Sequence, residues 1–98
     1  MNRRRYLVAY DIRDDRRLRL VHRRMKEFGY PLQYSVFICD LDAREKITMR
    51  SAVGAAIHHR TDSIVIVDLG IANERGSECF EFMGARAHDL PRQEATVL

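Results

Sequence analysis

No stretch of this 98-residue chain comes near the roughly 20 consecutive apolar residues that a membrane-spanning helix needs. No long apolar segment opens it either, so no signal peptide is expected and a cytoplasmic protein is the simplest reading. Cysteine is scarce: Cys39 and Cys79 stand far apart and form no CxxC pair. That argues against a disulfide framework, a zinc site and a metallochaperone. Internal repeats, linkers and low-complexity segments are missing as well. Lysine, too, is rare: fifteen of the seventeen basic residues are arginine, whose planar fork matches phosphate bidentately.

What is present is unevenly charged. The net charge is +3, yet residues 1–26 hold ten Arg or Lys against only Asp11, Asp14 and Asp15, so the remainder is net acidic. A basic block of this kind favours a nucleic-acid partner. A solvated helix face would explain the same charges equally well. With 98 residues and 46% hydrophobic content, residues 1–98 read as one small domain with a thin core. Sharing that core with a second copy would help it.

The pattern along the chain gives the elements. Arg5 to Ile12 is a nearly continuous apolar run and reads as a central strand buried on both faces, delivering Asp11 at its end. Asp14 or Asp15 can cap a helix over about 15–28, in which Leu18, Val21, Met25 and Phe28 form one stripe. Arg16, Arg19, Arg23 and Lys26 lie largely off that stripe. Gly29 and Pro31 end the helix. Residues 32–41 read as strand, either one long strand or two short ones split by a turn near Ser35. Asp42 and Glu45 match a capping box opening a second helix over about 43–59, with Met49, Val53 and Ala56 inward. Residues 62–69 form the clearest strand, ended by Gly70. Residues 71–77 read as loop, 79–83 alternate like an edge strand, and 85–98 form a tail that frays or pairs with another subunit.

The order β-α-β-β-α-β predicts an α+β fold, a ferredoxin-like sandwich with an antiparallel sheet and both helices on one face. The open sheet face then needs a cover, and a homodimer supplies one economically.

Three features occur together: Tyr10-Asp11-Ile12 closing the first strand, Arg17-Leu18-Arg19 opening the helix, and Gln33-Tyr34-Ser35-Val36-Phe37 after Gly29. In this order and spacing they resemble the "Cas-two" family, the second core protein of CRISPR spacer acquisition. The resemblance is dense over residues 5–42 and thins toward the tail. It implies a ferredoxin-like fold, a symmetric homodimer, and a metal-dependent, usually Mg2+, endonuclease activity on RNA or DNA. It also implies a place in the complex that integrates new spacers, beside the integrase that is the first core protein. Carried over by motif, Asp11 is the metal and catalytic residue, Tyr10 accompanies it, and Ser35 and Phe37 line the dimer cleft. Two positions depart from the usual pattern: Pro31 stands where relatives often have a basic residue, and Ile38 where an acidic one follows the Phe.

Phosphodiester cleavage needs a metal to polarise a phosphoryl oxygen and activate water. Magnesium keeps several waters and takes one or two carboxylates, so a single Asp11 is a minimal site and a pair across a dimer axis is a fuller one. The bland alternative for Asp11 is an ion pair with Arg13 or Arg16, or a cap. His58-His59 diverge around a helix and suit a surface role. Arg13, Arg16, Arg17, Arg19 and Arg23 can hold phosphates without reading sequence. Tyr34 and Phe37 can stack on bases, although strand aromatics in a small domain are usually core or interface. Besides a nuclease, two readings stay open: a non-catalytic DNA-binding scaffold for the integrase, and a toxin-type ribonuclease of the same fold.

Overall fold

The apolar run at the start of the chain forms the centre of a four-stranded antiparallel sheet. In the computed structural model, which describes residues 2–85, β1 (Arg4–Asp11) lies between β3 (Val36–Leu41) and β4 (Ser63–Ile71). The short β2 (Tyr30–Gln33) completes the order β2-β3-β1-β4. Two helices, α1 (Asp15–Met25) and α2 (Ala43–Gly54), follow β1 and β3, giving the ferredoxin-like β-α-β-β-α-β layout. Both start as the sequence predicts. The Asp14 side chain accepts from the Arg17 amide, and Asp42 with Glu45 makes a complete capping box.

Alternation along β1 decides what each face does. Tyr6, Val8 and Tyr10 point to the helix side and form the core with Phe37, Cys39 and Leu41 of β3, Val21 and Met25 of α1, and Met49 and Val53 of α2. Close packing there uses Gly29, where a Cβ would run into the Ile38 carbonyl oxygen and come within 2.6 Å of the Cys39 sulfur. The other face carries Leu7 and Ala9, paired with Val67 and Val65 of β4, which are 41% and 55% exposed. Asp11 ends this second row. Near the opposite end of the same row, Arg5 is buried in register with Asp40 and grips it through Nε at 2.7 Å and Nη2 at 2.9 Å.

Several boundaries differ from the sequence reading. The segment 32–41 is two strands joined at Tyr34-Ser35, with Ser35 at φ 63°. Helix α1 stops at Met25, and Glu27, Phe28 and Gly29 tighten onto the carbonyls of Arg24 and Met25, while Phe28 still packs against the core. Helix α2 stops at Gly54 rather than near 59, because His58 to Asp62 close a separate turn in which the Thr61 and Asp62 amides donate to the His58 carbonyl. Strand β4 does not end at Gly70. A one-residue register shift opposite Arg4 and Tyr6 is absorbed with Gly70 at φ 97°, and pairing resumes at Ile71. The expected loop after it contains α3 (Arg75–Glu78). Residues 79–83 are not a strand; their alternation instead brings the Phe80 and Phe82 rings together at 5.9 Å and 11°. The expectation of a pairing tail over 85–98 lies outside the described residues from 86 onward. No helix among the described residues is long and apolar enough to cross a membrane.

Candidate nucleic-acid site

The end of β1 splits two neighbouring side chains between opposite faces. Tyr10 turns inward, 6% exposed, while Asp11 projects from the open face with its side chain 65% exposed. Asp11 pairs with Arg13, whose Nη2 lies 3.4 Å from its carboxylate. Such an exposed pair is weak and easily exchanged for a ligand. Among the described residues no three His, Cys, Asp or Glu side chains gather as a metal cluster. Among the described residues, then, Asp11 belongs to no three-ligand metal cluster within one chain. The chemistry of one exposed carboxylate fits a ligand of magnesium, which tolerates few protein donors, but it does not make a complete site.

Tyr10 is held rather than free. Its hydroxyl shares a 3.1 Å hydrogen bond with Nδ1 of His22, and its ring stacks on Phe37 at 6.3 Å. Burial, with the nearby Tyr34 adding to it, pushes its phenol up to about 12, so it stays protonated at neutral pH. Phe37, expected at the cleft, is fully buried instead. Its place in β3 puts it on the helix side with Cys39 and Leu41, where it packs edge-on against His22 at 5.3 Å. It shapes the site from beneath and does not line it.

The turn after Asp11 is fixed by a residue that the sequence reading passed over. Asp62, whose side chain has no exposed surface, accepts from the Arg13 amide at 2.9 Å, the His58 amide at 2.8 Å, and Arg17 Nε at 2.7 Å. The Arg17 bond, followed by the two amides, holds the Asp62 carboxyl well below the usual carboxylate range. Arg17, expected to contact phosphate, is thereby committed to clamping the start of α1 to the turn before β4. The only trace of this in the sequence is a carboxylate opening an apolar strand, with its partner 45 positions away.

The remaining expected phosphate contacts are accessible. Arg13, Arg16, Arg19 and Arg23 are exposed along the rim and the outer side of α1. Ser35 sits at the same end of the sheet, where its carbonyl accepts from the Tyr10 amide at 3.0 Å. Tyr10, Ser35, Arg19 and Arg23 share a groove of about 380 Å³.

Fold and rim together define a small ferredoxin-like protein with an exposed strand-end carboxylate and an arginine-rich first helix. The family of CRISPR associated protein Cas2 matches residues 4–75 of this chain, and the chain belongs to that family. It is similar to the CRISPR-associated endoribonuclease Cas2 1 of Rhodospirillum rubrum, at 41% identity over 94% of this chain and 89% of that protein. It is similar also to the CRISPR-associated endoribonuclease Cas2 of Geobacter sulfurreducens, at 45% identity over 68% of this chain and 70% of that one. Among solved structures it resembles Streptococcus pyogenes Cas2, with TM-score 0.72, 28% identity, and 82% and 99% of the two chains covered. A hypothetical protein from Thermus thermophilus matches with TM-score 0.74, 30% identity, and 88% and 96% coverage.

Proposed function

We propose that this chain is a metal-dependent CRISPR-associated endonuclease that works as a homodimer, with Asp11 of each copy facing the other across the open sheet face. The carrying observation is that Asp11 is exposed on the same sheet face as the half-buried Leu7 and Ala9 and the exposed Val65 and Val67. A second copy packed on those apolar side chains would bring a second carboxylate to the site and supply what one chain lacks. The names of the relatives favour RNA as substrate, and the exposed arginines suit either nucleic acid.

Asp11, from both copies, is the residue that would hold Mg2+, which when bound polarises a phosphoryl oxygen and lowers the pKa of a water. Arg13 pairs with Asp11 in the free protein and is placed to take a phosphate oxygen once substrate arrives. Asp62 keeps the Arg13 backbone, and with it the turn after Asp11, in one position. The protein is proposed to act in the cytoplasm, in the complex that integrates new spacers and beside its integrase subunit.

Asp11→Asn tests the catalytic reading: it should abolish magnesium-dependent cleavage of RNA and DNA oligonucleotides while leaving the melting temperature within a few degrees. If wild-type protein cleaves neither with magnesium between pH 6 and 9, the catalytic reading is wrong. The lack of a three-ligand metal cluster among the described residues also favours a second reading, a DNA-holding scaffold for the integrase. In that case Asp11→Asn would leave spacer insertion intact.

A further inference from the structure

We propose that the groove on the helix side of the rim is a subsite for one unpaired nucleotide, with its base stacked on Tyr34 and its phosphates on Arg19, Arg23 and Lys26. The inference rests on the proposed nucleic-acid function and adds a binding site on the face opposite Asp11.

Tyr34 is 85% exposed, an unusual situation for the aromatic ring of a strand-connecting turn in a domain short of core. The turn that presents it is tight. Tyr34 and Ser35 alone join β2 to β3, and Ser35 takes a φ of 63°, a region that side chains other than glycine and asparagine seldom adopt. The Tyr10 amide holds the Ser35 carbonyl, which fixes the turn against the strand that carries Asp11. The left-handed, half-buried Ser35, braced by the central strand, thus holds the exposed Tyr34 at one place beside the groove.

The charge in the groove points to the ligand. Arg19, Arg23 and Lys26 line it with His22, Tyr34 and Ser35, and no carboxylate among the described residues does. None of the three cations has a carboxylate partner among the described residues, whereas Arg3, Arg4, Arg5, Arg13 and Arg17 all do. A volume of about 380 Å³ suits a nucleotide. An exposed aromatic face beside unpaired cations is the combination that binds single strands, because every base has a π-face and every linkage a charge. A duplex keeps its bases stacked inside and offers Tyr34 nothing to stack on. A strand lying in the groove would pass over the rim beside Asp11.

The test is fluorescence anisotropy with a labelled mixed-sequence 12-nucleotide RNA, its DNA counterpart and the matching duplexes, in EDTA so that nothing is cut. Tyr34→Ala should weaken single-strand binding about ten-fold or more, and Tyr34→Phe should restore it, since only the ring is needed. Arg19→Ala, Arg23→Ala and Lys26→Ala should each reduce the slope of log affinity against log salt by about 0.7. The chain has no tryptophan, so its tyrosine emission should quench on binding, and less so in Tyr34→Ala. Tyr34→Ala binding within two-fold of wild type overturns the subsite, as does an equal loss on duplex. Cleavage with magnesium is scored separately. Tyr34-dependent binding without cleavage sinks the nuclease reading and keeps the subsite; cleavage with unchanged Tyr34→Ala affinity does the reverse.

Discussion

Replacing Phe37 by alanine separates a core role from a substrate-contacting one. The ring is completely buried and lies against Tyr10 at 6.3 Å and His22 at 5.3 Å. Removing a buried phenyl ring costs about 3–5 kcal/mol, from lost transfer energy and from the cavity left behind. A domain of this length holds about 5–15 kcal/mol in all. At about 4–8 °C per kcal/mol, the midpoint should fall by upwards of ~12 °C. The assay is urea and thermal unfolding by far-UV circular dichroism at one fixed protein concentration, because the proposed dimer would make midpoints concentration-dependent. Phe37→Leu should lose much less. Nucleic-acid binding measured at low temperature, where Phe37→Ala remains folded, should be reduced far less than by Tyr34→Ala. A stability loss below about 1 kcal/mol, with binding abolished in folded protein, would show that Phe37 meets substrate after all and refute its placement under α1.

Two further outcomes follow from the titrating groups. The Arg17 bond and two backbone amides lower the folded pKa of Asp62, so its stabilisation is complete above the unfolded carboxyl value of about 3.9. That stabilisation declines below this pH and is lost once the pH passes the folded value. Asp62→Asn should therefore lower the urea midpoint clearly at pH 7 and by a shrinking margin below about pH 4, whereas a margin constant with pH would exclude the clamp. Burial, with Asp40 adding to it, pushes the Cys39 thiol up to about 12, so it remains a poor nucleophile in the native fold. In Cys79→Ser protein, a thiol reagent at pH 8 should react only on unfolding; fast labelling of native protein would contradict that burial.

The elements that local rules govern were legible from the residues. Strand β1, the caps at Asp14 and Asp42, and the stripe through Val21 and Met25 each follow from periodicity or a short-range hydrogen bond. The β-α-β-β-α-β order then leaves few topologies, and the observed one is among the simplest. What stayed hidden depends on partners distant in sequence. Asp62 looked like an ordinary strand start because Arg17 and the Arg13 amide meet it only after folding. Arg5 and Asp40 look like charges flanking apolar strands until the β1–β3 register sets them opposite one another, with Arg5 buried and Asp40 nearly so. The end of α2 at Gly54 was obscured because Ala55 to Ile57 continue a plausible helical pattern, while the turn that replaces it is stabilised by Asp62. The site was legible in type and less so in orientation. Asp11 at a strand end beside arginines was visible, but the split between Tyr34 outside and Phe37 inside needed the turn at Ser35.

The period of two in β1 has a consequence for how binding and cutting relate. Tyr10 and Asp11 are adjacent, so they must face opposite sides of the sheet. The helix-side groove is complete within one chain: its cations, its aromatic ring and the bracing Tyr10 amide all come from β1, α1 and the β2–β3 turn. The open face, by contrast, gathers no three-ligand metal cluster among the described residues and carries a row of exposed valines. If the proposed function holds, capture of a strand would require only one copy, while chemistry at Asp11 would require two. On the proposed function, such an arrangement would confine cleavage to the assembled dimer and let nucleic acid bind to either state. It also explains why the clamp at Asp62 lies where it does. The turn between Asp11 and α1 links the strand end that carries Asp11 to the helix that carries the cations of the groove, and Asp62 fastens the Arg13 amide within it and the Arg17 side chain beyond it.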